Sequence, residues 1–146
     1  MAMAIRATTL ERGARSVDGT AERESRPRVL VIDDERIIRE LLVEHLTEEG
    51  FGVDAADTIA RGRVCMRESG RPDVIVLDLM LPERTGWEFL RDRRENPLLA
   101  RIPVVVISAT TPDRLVLAAQ LGADAQLSKP FDLDQLTEVV RSFVGA

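Results

Sequence analysis

Asp33, Asp34, Asp78, Ser108 and Lys129 each stand at the end of a short apolar run. Carboxylates can hold a hard cation or attack an electrophilic centre, and an ammonium and a hydroxyl beside them can take up negative charge. Lys129 is the only lysine among 20 basic residues. A chain that otherwise uses arginine here carries a compact point charge on a flexible stem rather than a planar fork. Taken singly, each of the five has an ordinary reading as a helix cap, a loop residue or a solvated charge. Their spacing argues against five such coincidences. The 45 positions from Asp33 to Asp78 accommodate two strand–helix units, and the next steps of 30 and 21 positions accommodate one each.

The elements that must position them are legible from Arg28 onward. Residues 28–32, 51–55, 73–77, 103–107 and 125–127 are predicted strands. The first, third and fourth are almost wholly apolar, as strands covered on both faces must be. Helix-period segments lie between them: Ile37, Ile38, Leu41, Leu42 and Leu46 mark the first, and Leu133, Leu136, Val139, Val140 and Phe143 the last. Gly50, Gly70 and Gly122 mark helix ends, and Asp57, Thr111 and Asp132 are the expected N-caps. Such alternation predicts a doubly wound α/β fold, a five-stranded parallel sheet with helices on both faces. Ligands collect at the carboxyl ends of parallel strands, and all five polar residues arrive at that edge.

Composition narrows the function classes. With 146 residues, 45% of them hydrophobic, the chain can bury one core without metal or disulfide staples. A net charge of −5 with interspersed signs leaves no basic stripe, so direct nucleic-acid binding is not expected. The apolar runs, such as 74–77 and 104–107, are too short to cross a membrane, and a soluble cytoplasmic protein is expected. Cys65, without a second cysteine, reads as a small buried hydrophobe; His45 reads as an ordinary helix histidine, and Trp87 as a packing residue. Residues 1–27 have almost no large apolar residues and read as a disordered tail. Their acids and missing apolar stretch fit neither a transit nor a signal peptide.

Residues 28–146 resemble a response-regulator receiver domain, CheY-like, of two-component phosphorelay signalling. The resemblance rests on Val29-Leu30-Val31-Ile32-Asp33-Asp34-Glu35, on residues 74–82 ending Asp78-Leu79-Met80-Leu81-Pro82 with Gly86, on residues 104–107 followed by Ser108-Ala109, and on Gly122-Ala123-Asp124 leading to Lys129-Pro130-Phe131. It implies strand order 2-1-3-4-5 and a phosphoprotein carrying 4-aspartylphosphate at Asp78. It also implies a phosphohistidine of a sensor kinase or phosphotransfer protein as donor, and a cis Lys129–Pro130 bond. Neighbouring strands lie roughly 5 Å apart, so Asp33, Asp34 and Asp78 would crowd charge that a cation must relieve. An oxygen-only set suits Mg²⁺, with Mn²⁺ as the alternative. Asp34, Asp78 and the Met80 carbonyl are the expected direct ligands, with Asp33 acting through water. Asp78 would be the nucleophile, with Ser108 and Lys129 catalytic. Met80 and Thr110 flank the path of attacking water in this family. Gln126 stands where receivers commonly carry Tyr or Phe, and the chain has no Tyr.

Three other classes bear on these residues. An aspartate-nucleophile phosphatase would show Asp-x-Asp-x-Thr, and Asp78-Leu79-Met80 lacks the second acid. A flavodoxin-like cofactor protein would not place Asp33-Asp34-Glu35 where a phosphate is cradled. A receiver used only for docking, without phosphorylation, is the serious rival. No enzymatic activity is expected beyond the domain's own phosphorylation and dephosphorylation. Because the sequence ends after the fifth helix, a stand-alone regulator without output domain is expected. It would signal through the fourth helix, fifth strand and fifth helix to an unidentified protein, or by onward phosphotransfer, as a monomer or phosphorylation-dependent dimer.

Overall fold

A computed structural model describes residues 26–82, 85–109 and 111–144. Its strands are β1 (Arg28–Ile32), β2 (Gly52–Ala56), β3 (Val74–Asp78), β4 (Val104–Ser108) and β5 (Ala125–Ser128). The helices are α1 (Arg36–Glu48), α2 (Ile59–Ser69), α3 (Thr85–Arg93), α4 (Pro112–Gln120) and α5 (Leu133–Val144), with a one-turn helix at Pro97–Ala100. All pairings are parallel, in the order β2-β1-β3-β4-β5. This is the expected CheY-like, flavodoxin-type arrangement. The tail expected over residues 1–27 lies almost wholly outside the described residues.

Side chains alternate across the sheet, and the two faces build two cores. Val29, Val31, Val76, Val105 and Ile107 pack on Leu42 and Leu46 of α1 and Leu136 and Val140 of α5. Leu30, Ile32, Ile75, Leu77, Val104 and Val106 face Trp87, Phe89 and Leu90 of α3 and Ala118 of α4, with Cys65 and Met66 of α2 partly buried beside them. Each fully buried aliphatic side chain contributes about 1.5–3 kcal/mol. Trp87 is thus a packing residue, and Cys65 fills space at the core's edge.

Three strands run one residue later than expected. Phe51 leaves the ladder because its N–H donates to the Leu46 carbonyl, closing α1, while its ring is buried. Asp78 and Ser108 are the last residues of β3 and β4 rather than the first beyond them. Both remain in register, opposite Ile107 and Ser128. Helix caps differ in detail. Thr58, not Asp57, caps α2, accepting from the Arg61 N–H at 3.1 Å. Asp132 caps α5 as expected, accepting from Asp134 and Gln135, whereas Thr111 precedes α4 without a side-chain bond.

One buried charge had no expected role. Arg93 closes α3 and donates to the carbonyls of Ile102 (2.8 and 3.2 Å) and Gly122 (3.0 Å) and to Asp124 Oδ2 (3.1 Å). Asp124 Oδ2 also accepts from the Val104 N–H at 2.8 Å. The guanidinium therefore joins α3, the start of β4 and the loop from α4 to β5, at the edge of the sheet opposite the polar cluster.

Candidate functional site

The strand ends of β1, β3 and β5 converge on one ammonium. Lys129 Nζ lies 3.1 Å from Asp33 Oδ2 and 3.1 Å from Asp78 Oδ2, and also donates to Glu35 Oε1. Asp33 directly follows β1 and is fully buried; Asp78 is nearly so. The Asp33 Oδ1 accepts from the Glu35 N–H at 2.8 Å, and Asp78 Oδ1 from the Met80 N–H at 2.9 Å. Each carboxylate is thus held by one backbone N–H two residues on and turned toward Lys129 by its other oxygen. Lys129 is placed by β5, where its own N–H donates to the Ser108 carbonyl, and the Lys129–Pro130 peptide is cis.

Electrostatics follow from burial and crowding. Burial raises the pKa of Asp33, and the charge of Asp78 adds to the rise against the opposing bonds from the Glu35 N–H and Lys129. For Lys129, burial works downward, but its bonds to Glu35 and Asp33 and the charge of Asp78 outweigh it and hold the pKa well above the ordinary lysine value. The pocket thus contains a fixed cation and more carboxylate charge than that cation balances.

Gly86 fixes the floor of the pocket. A Cβ at this position would lie 2.9 Å from the Asp78 carbonyl and 3.1 Å from Leu79 Cα and O. Only a residue without a side chain lets α3 approach the backbone that carries Asp78. Ser108, fully buried at the end of β4, has an Oγ with no hydrogen-bond partner among the described residues. A buried hydroxyl without a partner is costly unless another group is to meet it.

The remaining residues separate into near and far. Asp34 is exposed, and its carboxylate is not among those that converge. Glu35 takes that place: one oxygen each from Asp33, Glu35 and Asp78 lie within 4.8 Å of one another. Sequence reasoning missed Glu35 because an acid at a helix start is ordinarily a cap. Met80 is 47% exposed at the pocket's rim. Gln126 is half-buried, pairs in register with Val106 and stands on the α4 side of β5, but it makes no bond to Ser108. Thr110 lies outside the described residues.

The donor set tests the fit of a hard cation. Clustered carboxylate oxygens, without nitrogen or sulfur, are a chemistry that suits Mg²⁺.

Residues 29–141 match the response regulator receiver domain. The chain belongs to that family. Receiver domains bind Mg²⁺ through an acidic pocket, and Asp33 and Asp78 line such a pocket here, with Glu35 at its rim. Over 114 residues the chain is 40% identical to the KDP operon transcriptional regulatory protein KdpE of Escherichia coli, covering 77% of this chain and 49% of that one. The chain spans about half the length of the curated relatives it matches. Among solved structures, the chemotaxis response regulator CheY4 of Vibrio cholerae is 25% identical with a TM-score of 0.72, covering 82% of this chain and 99% of that one. The beryllofluoride-activated NtrC4 receiver domain, solved as a dimer, is 34% identical with a TM-score of 0.71, covering 82% and 98%. No helix among the described residues of this receiver domain is long and apolar enough to cross a membrane.

Proposed function

We propose that this receiver domain accepts a phosphoryl group on Asp78 from a phosphohistidine of a sensor kinase or phosphotransfer protein. The observation that carries the reading is the meeting of Asp78, Asp33 and Lys129 at one sheet edge, beside the unpartnered Ser108 hydroxyl. An Asp78 carboxylate oxygen forms the new bond to phosphorus while the bond from phosphorus to the donor imidazole nitrogen breaks, and the imidazole leaves. Charge on the phosphoryl oxygens is met by the Lys129 ammonium and by the Ser108 hydroxyl, which has its proton free to donate. Mg²⁺ would be held by Asp78, the Met80 carbonyl and, through water, Asp33, joined by Asp34 once its exposed carboxylate turns inward, and would neutralise further phosphoryl charge. The domain's only chemistry is then its own phosphorylation and dephosphorylation, in the cytoplasm.

Phosphorylation would be read at α4, β5 and α5, either by another protein, by onward phosphotransfer or by a second receiver in a dimer of the kind seen for NtrC4. Control of transcription is the output class suggested by KdpE and similar relatives. Incubation with acetyl phosphate and Mg²⁺ should add the mass of one phosphoryl group, and Asp78→Asn or chelation should abolish the addition. Undiminished labelling of Asp78→Asn would refute the acceptor assignment. An unlabelled parent would favour a receiver that acts by docking alone.

A further inference from the structure

Lys129 has three ammonium protons, and among the described residues all three go to carboxylates: Asp33, Asp78 and Glu35. Asp33 and Asp78 are buried, whereas the Glu35 side chain is 58% exposed at the rim. The three partners therefore differ in what else is asked of them. Asp33 and Asp78 are the residues proposed to serve the metal and the phosphoryl group, and each has one oxygen already held by a backbone N–H. Glu35 has neither task.

Glu35 is also free of the structural duty its position suggests. It is the N-cap residue of α1, with extended backbone (φ −80°, ψ 110°), yet its side chain makes no capping bond. Its carboxylate turns away from the helix and meets Lys129 across 94 positions of sequence. An exposed acid that leaves its own helix terminus unsatisfied to reach a half-buried lysine is positioned for that lysine.

We infer that Glu35 is a positioning residue for Lys129: it keeps the ammonium at the rim when Asp33 and Asp78 turn their oxygens to other partners. Without Glu35, Lys129's carboxylate partners among the described residues are those two, and Lys129 competes with a divalent cation for them. With Glu35, Lys129 retains one anionic partner outside the pocket and stays within reach of an arriving phosphoryl oxygen. This rests on the proposed function above and adds a residue to it.

Mg²⁺ titration by calorimetry of four proteins tests the inference: parent, Glu35→Gln, Lys129→Met and the double variant. Glu35→Gln should bind Mg²⁺ about three- to tenfold more weakly than the parent, as expected for coupled neighbours. Lys129→Met should bind it more tightly. In the Lys129→Met background, adding Glu35→Gln should change affinity by less than about twofold, since the lysine through which Glu35 acts is gone. Restoring the carboxylate as Glu35→Asp should recover part of the parent affinity. An equal loss with and without Lys129 would overturn the inference by making Glu35 a ligand in its own right, and no loss in either background would make it a surface acid. A parent that binds no Mg²⁺ would overturn the metal pocket itself and this inference with it.

Discussion

Asp33 is a fully buried carboxyl group, and its raised pKa has a direct consequence for stability. A carboxyl group whose folded pKa lies above its unfolded value favours the fold below the unfolded pKa, and that advantage is lost as pH rises through the folded one. Above that folded pKa the parent therefore holds an unfavourable charge that Asp33→Asn removes. Without Mg²⁺, the variant should withstand more urea than the parent at pH 7, and the difference should shrink as pH falls toward the ordinary carboxylate range. A variant less stable at pH 7 would mean that the lost bond to Lys129 outweighs the relieved burial. Met80, at the rim, poses a kinetic question. Its apolar side chain cannot orient water beside Asp78, so the phosphorylated state should be long-lived. Met80→Asn should hasten its decay several-fold, measured as loss of the phosphoryl mass after the donor is removed; an unchanged or slower rate would count against the shielding role. At this scale the sequence disclosed Asp33, Asp78, Ser108 and Lys129 through their places after apolar runs. It did not disclose Glu35, because nothing local distinguishes an acid that caps its helix from one that reaches a lysine 94 positions away.

Elements place these residues through contacts that local pattern describes only partly. Strand and helix order followed from periodicity, because a strand buried on both faces must be apolar throughout and an amphipathic helix must repeat its stripe. Strand ends did not, since the ladder continues through polar Asp78 and Ser108 wherever a partner strand still supplies hydrogen bonds. Gly86 and Arg93 show the two kinds of tertiary demand that a linear pattern conceals. Gly86→Ala would drive a methyl group to within 2.9 Å of the Asp78 carbonyl. Neither α3 nor the β3 loop can yield without disturbing its packing, so a loss of about 1–3 kcal/mol in urea denaturation is expected, with slower phosphorylation of whatever folds. Arg93 lies at the other end of α3, where a helix packed on a sheet ordinarily presents an apolar side chain. Arg93→Met keeps much of the volume but leaves the Ile102 and Gly122 carbonyls and Asp124 short of a donor, and should cost about 1–3 kcal/mol. A fully stable Arg93→Met protein would show that water replaces the guanidinium at this edge.

Across the whole molecule, the polar cluster and the Arg93 network occupy opposite edges of one rigid sheet, with α4 spanning the distance between them. The start of α4 follows the loop that leaves Ser108, and its end meets the Gly122 carbonyl held by Arg93. A pull on Ser108 by a phosphoryl group would thus act on one end of α4 while the other is fastened. Switching between two arrangements of such an element requires a side chain that packs differently in each. Ring rotation is not available, because the aromatic position on β5 is Gln126. That residue stands half-buried on the α4 side, its amide able to donate and accept once Ser108 moves. Phosphorylation should therefore alter amide hydrogen exchange across residues 111–122, and Gln126→Ala should leave the phosphoryl mass intact while diminishing that change. Should the variant respond as fully as the parent, Gln126 is a surface residue of β5, and the movement of Ser108 reaches α4 through the connecting backbone alone.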